Sequence, residues 1–259
     1  METTVLEVLH ITVLTAVVIR GALLCRHAKR AAPTAMFTFA MFALLISSLY
    51  WTAYSRLRPE SRMPFAANEF EEAAAFLLLA SVLAMNVTEK REKAVKETVF
   101  AVLFASANAV LWIAWSGEWV DDVLIGAALG FFLVGCMRSL RQTAAVSGKT
   151  AAVLLAVLSV LTVAQASTFF LPAALKAVVD TACSAAQVLL AWLFLLAAAA
   201  AAFRKMLPAR RCAVTFSGYC LATYCLYMSE GIWYDAVFAA LAIFPLFLLS
   251  AVTEEVKEA

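Results

Sequence analysis

The sequence predicts an all-α protein: a polytopic transmembrane helical bundle of about nine spans, with the N-terminus outside and the C-terminus cytoplasmic. Three observations predict it. The 259 residues are 64% hydrophobic and 15% charged, with a mean hydropathy of +0.89, whereas soluble domains run at about 45–50% apolar and about 25% charged. Nine stretches reach the ~20 apolar residues that cross a hydrocarbon core. Basic residues cluster in every second connection. The runs lack the period-two alternation of barrel strands, and Gly (8) and Pro (6) are too scarce for collagen-like or low-complexity readings.

The spans follow in order. The first, near 4–25, carries Glu7 and His10 three apart and so on one face, with Arg20 near its inner end. Arg20 reads as a snorkelling residue. Glu7 and His10 are either a helix end in the interface or a proton-coupling, cation-binding pair. The second span, near 33–54, starts at Pro33 and ends in Tyr50, Trp51 and Tyr54, an interfacial aromatic belt. The loop Ser55 to Ala66 follows; its Arg56, Arg58 and Arg62 are expected to pair with nearby acids.

Those acids open the third span, near 67–87, after Pro64. Carboxylates favour the positive end of a helix, which accounts for Glu69 and Glu71. Glu72 lies about one turn deeper than Asn68, and the two, four apart, can point together. The fourth span, near 97–116, sets Asn108, Trp112 and Trp115 on one face running outward. The fifth, near 119–139, opens on Asp121 and Asp122, and its Gly126, Gly130 and Gly135 predict close helix packing.

The sixth span, near 150–171, carries Ser159, Thr162 and Gln165 and is closed by Pro172. The seventh, near 176–203, holds Asp180, Gln187 and the close-packing run Ala197 to Ala202. The eighth, near 211–229, follows Pro208 and carries Thr215, Tyr219, Thr223 and Tyr227 along one stripe. Hydroxyls of this kind commonly bond between helices, at about 0.6 kcal/mol each. The ninth, near 232–252, opens on Glu230, Gly231, Trp233, Tyr234 and Asp235; Pro245 within it predicts a kink.

Arg26, Lys29 and Arg30 follow the first span; Lys90, Arg91, Lys93 and Lys96 the third; Arg138, Arg141 and Lys149 the fifth; Arg204, Lys205, Arg210 and Arg211 the seventh. That is fourteen of the 20 Lys and Arg; the alternate connections hold only Arg56, Arg58, Arg62 and Lys176. Positive residues stay inside, which fixes the orientation. Twelve of the 18 acids map to the outer side: Glu2, Glu7, Glu60, Glu69, Glu71, Glu72, Glu118, Asp121, Asp122, Asp180, Glu230 and Asp235. Acids contribute little to topology. They are either what remains when basic residues go inside, or an outer vestibule that attracts cations or amines.

Short connections and a tail of a few residues after the ninth span point to a single integral-membrane domain, 1–259, with no soluble output domain and no inverted repeat. The six cysteines form no CxxC pair and read as apolar packing residues. The start of the chain has no basic n-region, so no cleaved signal peptide is expected. Asn86-Val87-Thr88 fits a glycosylation pattern at a span edge and carries little weight. Ser147-Gly148-Lys149-Thr150 ends like a phosphate-binding loop but lacks the earlier glycine, since Thr143 stands there. HExxH, GxSxG, paired-histidine and dinucleotide motifs are absent, so neither a catalytic residue, a metal ligand nor a cofactor is expected.

An outward-facing cavity would gather Glu72, Asn68, Asn108, Asp180, Gln187 and Asp235, with Trp112, Trp115 and Trp233 as apolar walls; Glu7, His10 and Glu72 are the candidate proton-coupling groups. The first functional expectation is a transporter of a small cationic or zwitterionic solute. The second is a sensor or accessory subunit that signals through a partner membrane or cytoplasmic protein, and the third a membrane-embedded enzyme. Membrane lipid and a small molecule are the expected partners, and nucleic acid is not. Short loops and abundant alanine suggest a bacterial inner membrane.

Overall fold

The structure, a computed structural model, describes residues 2–26, 31–57, 67–86, 95–117, 119–204 and 206–258. His27, Lys29, Arg30, Arg58, Glu60, Arg62, Pro64, Val87, Thr88, Lys90, Arg91, Lys93, Glu118 and Lys205 lie outside these ranges. The described residues form nine α-helices and no strand: α1 (Glu2–Cys25), α2 (Ala31–Leu57), α3 (Ala67–Asn86), α4 (Val95–Ser116), α5 (Trp119–Gln142), α6 (Gly148–Ser167), α7 (Ala173–Phe203), α8 (Pro208–Tyr227) and α9 (Gly231–Glu258). A short 3-10 turn, Thr168–Phe170, ends α6.

Local chemistry sets the boundaries. Ser147 caps α6, its hydroxyl accepting from the Thr150 amide at 3.1 Å, which is what the Ser-Gly-Lys-Thr run does here. Pro172 precedes α7, and Pro208 is the first residue of α8, where a missing N–H costs nothing. Gly117 (φ +73°) and Gly231 (φ +57°) turn the chain between α4 and α5 and between α8 and α9 in the left-handed region that glycine tolerates. α9 runs as one helix through Pro245.

Seven of the nine helices are long and apolar enough to cross a membrane; α3 and α8 fall short. α3 opens with Glu69, Glu71 and Glu72, and α8 carries Arg210, Arg211 and a run of hydroxyl and phenol side chains. The packing explains why α8 can be less apolar. It touches α3, α5, α7 and α9, and fourteen of its 20 residues are buried. Its surroundings are protein rather than lipid. Outward-facing Phe39, Leu103, Phe131, Val160 and Leu196 present the apolar surface expected against acyl chains.

α1 packs on α2 and α9, α2 on α3, α3 on α5, α4 on α5, and α7 on α8 and α9. Aromatic contacts pin α3, α5 and α8 together: Phe76 stacks on Phe132 at 6.4 Å, and Phe132 meets Phe216 edge-on at 6.3 Å. The glycine spacing in α5 works as expected. A Cβ at Gly126 would sit 2.7 Å from the Ala109 Cβ, and one at Gly130 would sit 2.8 Å from the Ala105 Cβ, so only glycine lets α4 approach this closely. None of the six cysteines forms a disulfide, and five are buried. Asn86 is buried, its amide donating to Cys212 Sγ at 3.7 Å.

Candidate functional site

The helix ends assigned to the outer side enclose a cavity of about 540 Å³, within the usual range of small-molecule sites. One wall comes from α1 and α9, with Glu7, His10, Tyr234 and Phe238, and from Glu230 just before α9. His10 lies 5.1 Å from the Phe238 ring, and Phe238 stacks on Tyr234 at 5.9 Å, which seats α1 against α9. His10 is only 8% exposed, and its Nδ1 has no hydrogen-bond partner.

The facing wall comes from α3, α4 and α5. α3 contributes Asn68, Glu69 and Glu72; α4 contributes Trp112, Trp115 and Ser116; α5 contributes Asp122 and Ile125. The Ser116 hydroxyl donates to Asp122. α2 runs between the two walls and lends Ser47, Ser48, Trp51 and Thr52.

Glu72 forms the deep acidic point. It enters the cavity because it stands a turn inside α3, roughly 8 Å along the axis from the helix start. The Ser47 hydroxyl donates to its Oε1 at 3.0 Å, and the Tyr227 hydroxyl donates to its Oε2. Both partners are neutral. Trp112 closes the floor beside it, edge-on to Tyr227 at 5.3 Å and stacked on Tyr224 at 5.9 Å, with its Nε1 donating to Met228 Sδ at 3.3 Å.

The charges are one-sided. Glu7, Glu69, Glu72, Asp122 and Glu230 all line the cavity, and no lysine or arginine does so among the described residues. Arg56 approaches Glu7 to 3.8 Å from a position that leaves its own side chain half exposed. At the opposite end of the bundle a second cavity, of about 580 Å³, is lined by Arg141 and Arg210 and, among the described residues, by no acid. The two mouths thus carry opposite charge.

Of the residues singled out in the sequence, Glu7, His10, Asn68, Glu72, Trp112 and Trp115 meet at this cavity. Asn108 and Gln187 do not. They border a void of about 10 Å³ beneath the floor and belong to hydrogen-bonded networks. Asn108 donates to the Phe104 carbonyl at 2.8 Å and accepts from Thr162 at 3.3 Å. Gln187 donates to Gln165 Oε1 at 2.7 Å and accepts from Ser229 at 3.1 Å, while Gln165 donates to the Met228 carbonyl at 2.8 Å. Asp180, Trp233 and Asp235 are half-buried and lie away from the cavity wall.

Sequence reasoning passed over Ser47, Trp51, Tyr227, Tyr234 and Glu230 as site residues. A serine pair deep in an apolar span was the signal for Ser47; nothing in the order of residues joins Tyr227 to Glu72. Among the described residues no group of His, Cys, Asp and Glu is arranged to hold a metal ion. No family model, curated protein or solved structure matches this chain, so the function is read from the chemistry of the cavity.

Proposed function

We propose that this multi-pass membrane protein is a transporter of small organic cations, which enter the acidic, aromatic cavity from outside. The observation that carries the reading is the lining: five carboxylates, three tryptophans and no lining lysine or arginine among the described residues. Carboxylates in a cleft of low dielectric draw in positive charge. Indole faces add cation–π attraction once the cation sheds water. A zwitterion fits less well, because the described lining offers its carboxylate no cationic partner.

Two features favour transport over passive binding. The floor is a stack of side chains, Trp112, Tyr224 and Tyr227, rather than backbone. Beneath it Asn108, Thr162 and Gln187 border a small void of about 10 Å³ within the bundle. The arrangement fits an outward-open state whose inner route is closed by rings. A bacterial inner membrane as its location belongs to the same proposal, and the short loops and alanine-rich composition support it.

The test is uptake into proteoliposomes. Labelled butylammonium should accumulate against a preloaded unlabelled pool, and excess unlabelled cation outside should block it. Saturable binding without exchange would overturn transport and leave a receptor.

A further inference from the structure

We infer that the arginine-lined cavity at the other end of the bundle holds the phosphate group of an anionic membrane lipid. This cavity, of about 580 Å³, lies where α5 ends, α6 begins and α8 begins. Its depth follows from the helices that build it. α5 completes one membrane-crossing span at Gln142, and α6 opens the next at Gly148. The 24 residues of α5 are about 36 Å long, enough to carry each end to a headgroup layer. The connection between the two helices therefore sits at the level of lipid phosphates. It lies on the side assigned to the cytoplasm, whose leaflet presents anionic lipid.

The lining changes character with depth. Arg141 lies in the last turn of α5 and Arg210 in the first turn of α8. Arg141 is exposed and Arg210 half-buried, so both can meet a ligand. Arg210 reaches across to the α5–α6 connection, where its Nη2 donates to the carbonyl of Ala144, itself a lining residue. That bond places the guanidinium at the cavity wall and uses one of its five donors. About one helical turn further into the bilayer, roughly 5 Å, the lining is Met137 on α5 and Ala151 on α6, both apolar and buried. Cationic groups at the headgroup level over an apolar floor match a phospholipid. A free phosphate ion shares the chemistry of the arginines and gains nothing from the floor.

The packing explains why space is left here. α5 packs on α3, α4 and α8, whereas α6 packs on α4 and α7, so the inner ends of two consecutive helices are held by different neighbours. The wall between them is built by the backbone: the Ala144 amide donates to the Arg141 carbonyl and the Ala145 amide to the Leu140 carbonyl, each at 3.1 Å. The cavity therefore stands without a ligand to order it. Planar guanidinium groups suit phosphate oxygens, and the positive end of α6, which meets the cavity at Gly148, adds to them.

The experiment is native mass spectrometry of the purified full-length chain in neutral detergent, with dioleoylphosphatidylglycerol, dioleoylphosphatidylcholine and inorganic phosphate as probes. The anionic lipid should bind about tenfold or more tighter than the choline lipid, whose trimethylammonium opposes the arginines, and equimolar phosphate should not displace it. R210Q should weaken phosphatidylglycerol binding about tenfold, the worth of one charge-assisted contact. If R210Q fails to fold, R141Q carries the test with the same expected loss. Arg138 lies at the same end, bonded to Thr98 at 3.2 Å and outside the cavity lining, so R138Q should leave the preference unchanged. Equal affinity for the two lipids, full binding in R210Q, or an equal loss in R138Q would overturn the inference. Displacement by equimolar phosphate would overturn the lipid and leave a soluble anion in its place. Neither result touches the cation reading of the outer cavity.

Discussion

Glu72 is where the cation reading can be tested most sharply, because its charge and its packing can be changed separately. In Glu72→Gln the side chain keeps its shape. Its carbonyl still accepts one hydroxyl, and its NH2 can donate to the other once that hydroxyl rotates, so Ser47 and Tyr227 both stay partnered. Folding stability should change by no more than about 1 kcal/mol. The contact to a bound ammonium loses its charge assistance, about 1.5–3 kcal/mol, which is roughly a 10- to 150-fold rise in the dissociation constant. Glu72→Leu has a different signature. It strands two hydroxyls in a buried place, at about 1–3 kcal/mol each, and should lower the melting temperature as well as abolish binding. Titration of labelled butylammonium, alongside thermal unfolding in the same detergent, reads both. If E72Q bound within about twofold of the unaltered protein while melting normally, Glu72 would not be the cation's partner and the reasoning would fail.

Further expectations concern the packing. Gln187→Leu should lower thermal stability by about 1–3 kcal/mol, since it leaves the Gln165 carbonyl oxygen without its donor, yet leave butylammonium affinity unchanged; a loss of affinity would put Gln187 back in the site. Gly126→Leu should destabilise by about 1–3 kcal/mol or more by forcing α4 away from α5, and an unshifted melting curve would refute the close approach. Ser48→Cys at the cavity wall should react with a membrane-impermeant maleimide added outside intact cells, and Ala145→Cys at the opposite mouth only after permeabilisation. The reverse pattern would invert the assigned orientation.

Helix positions were legible because apolar length and punctuation act locally. Pro208 and Gly231 mark ends on their own, whatever the neighbours do. The GxxxG spacing in α5 was legible for a similar reason: small residues one turn apart make a groove wherever the partner helix lies, and here it is α4. Glu72 drew notice because a carboxylate a turn inside a span is costly wherever it points.

What the residue order could not supply was helix phase across distant segments. Tyr227 shares a stripe with Thr215 and Tyr219 and read as interhelical glue; its partner Glu72 lies 155 positions away. Trp233 and Tyr234 are one residue, about 100° of helix, apart. Only the docking of α1 on α9 decides that Tyr234 lines the cavity and Trp233 does not. Gln165 and Gln187 each lacked a visible partner in sequence, and each is the other's. α8 has more polar character than a lipid-facing span should have, and that excess was a usable sign that it sits inside the bundle.

Trp51, Trp112 and Trp115, three of the six tryptophans, line the cavity, so intrinsic fluorescence reports directly on its occupant. The decisive measurement is a fluorescence titration of the purified protein with butylammonium, 1-butanol and butyrate, three ligands of similar size that differ in charge. Recognition of positive charge predicts a saturable change with butylammonium, none with the alcohol or the acid, and loss of the change in E72Q. Equal responses to all three, or saturation by butyrate alone, would contradict it.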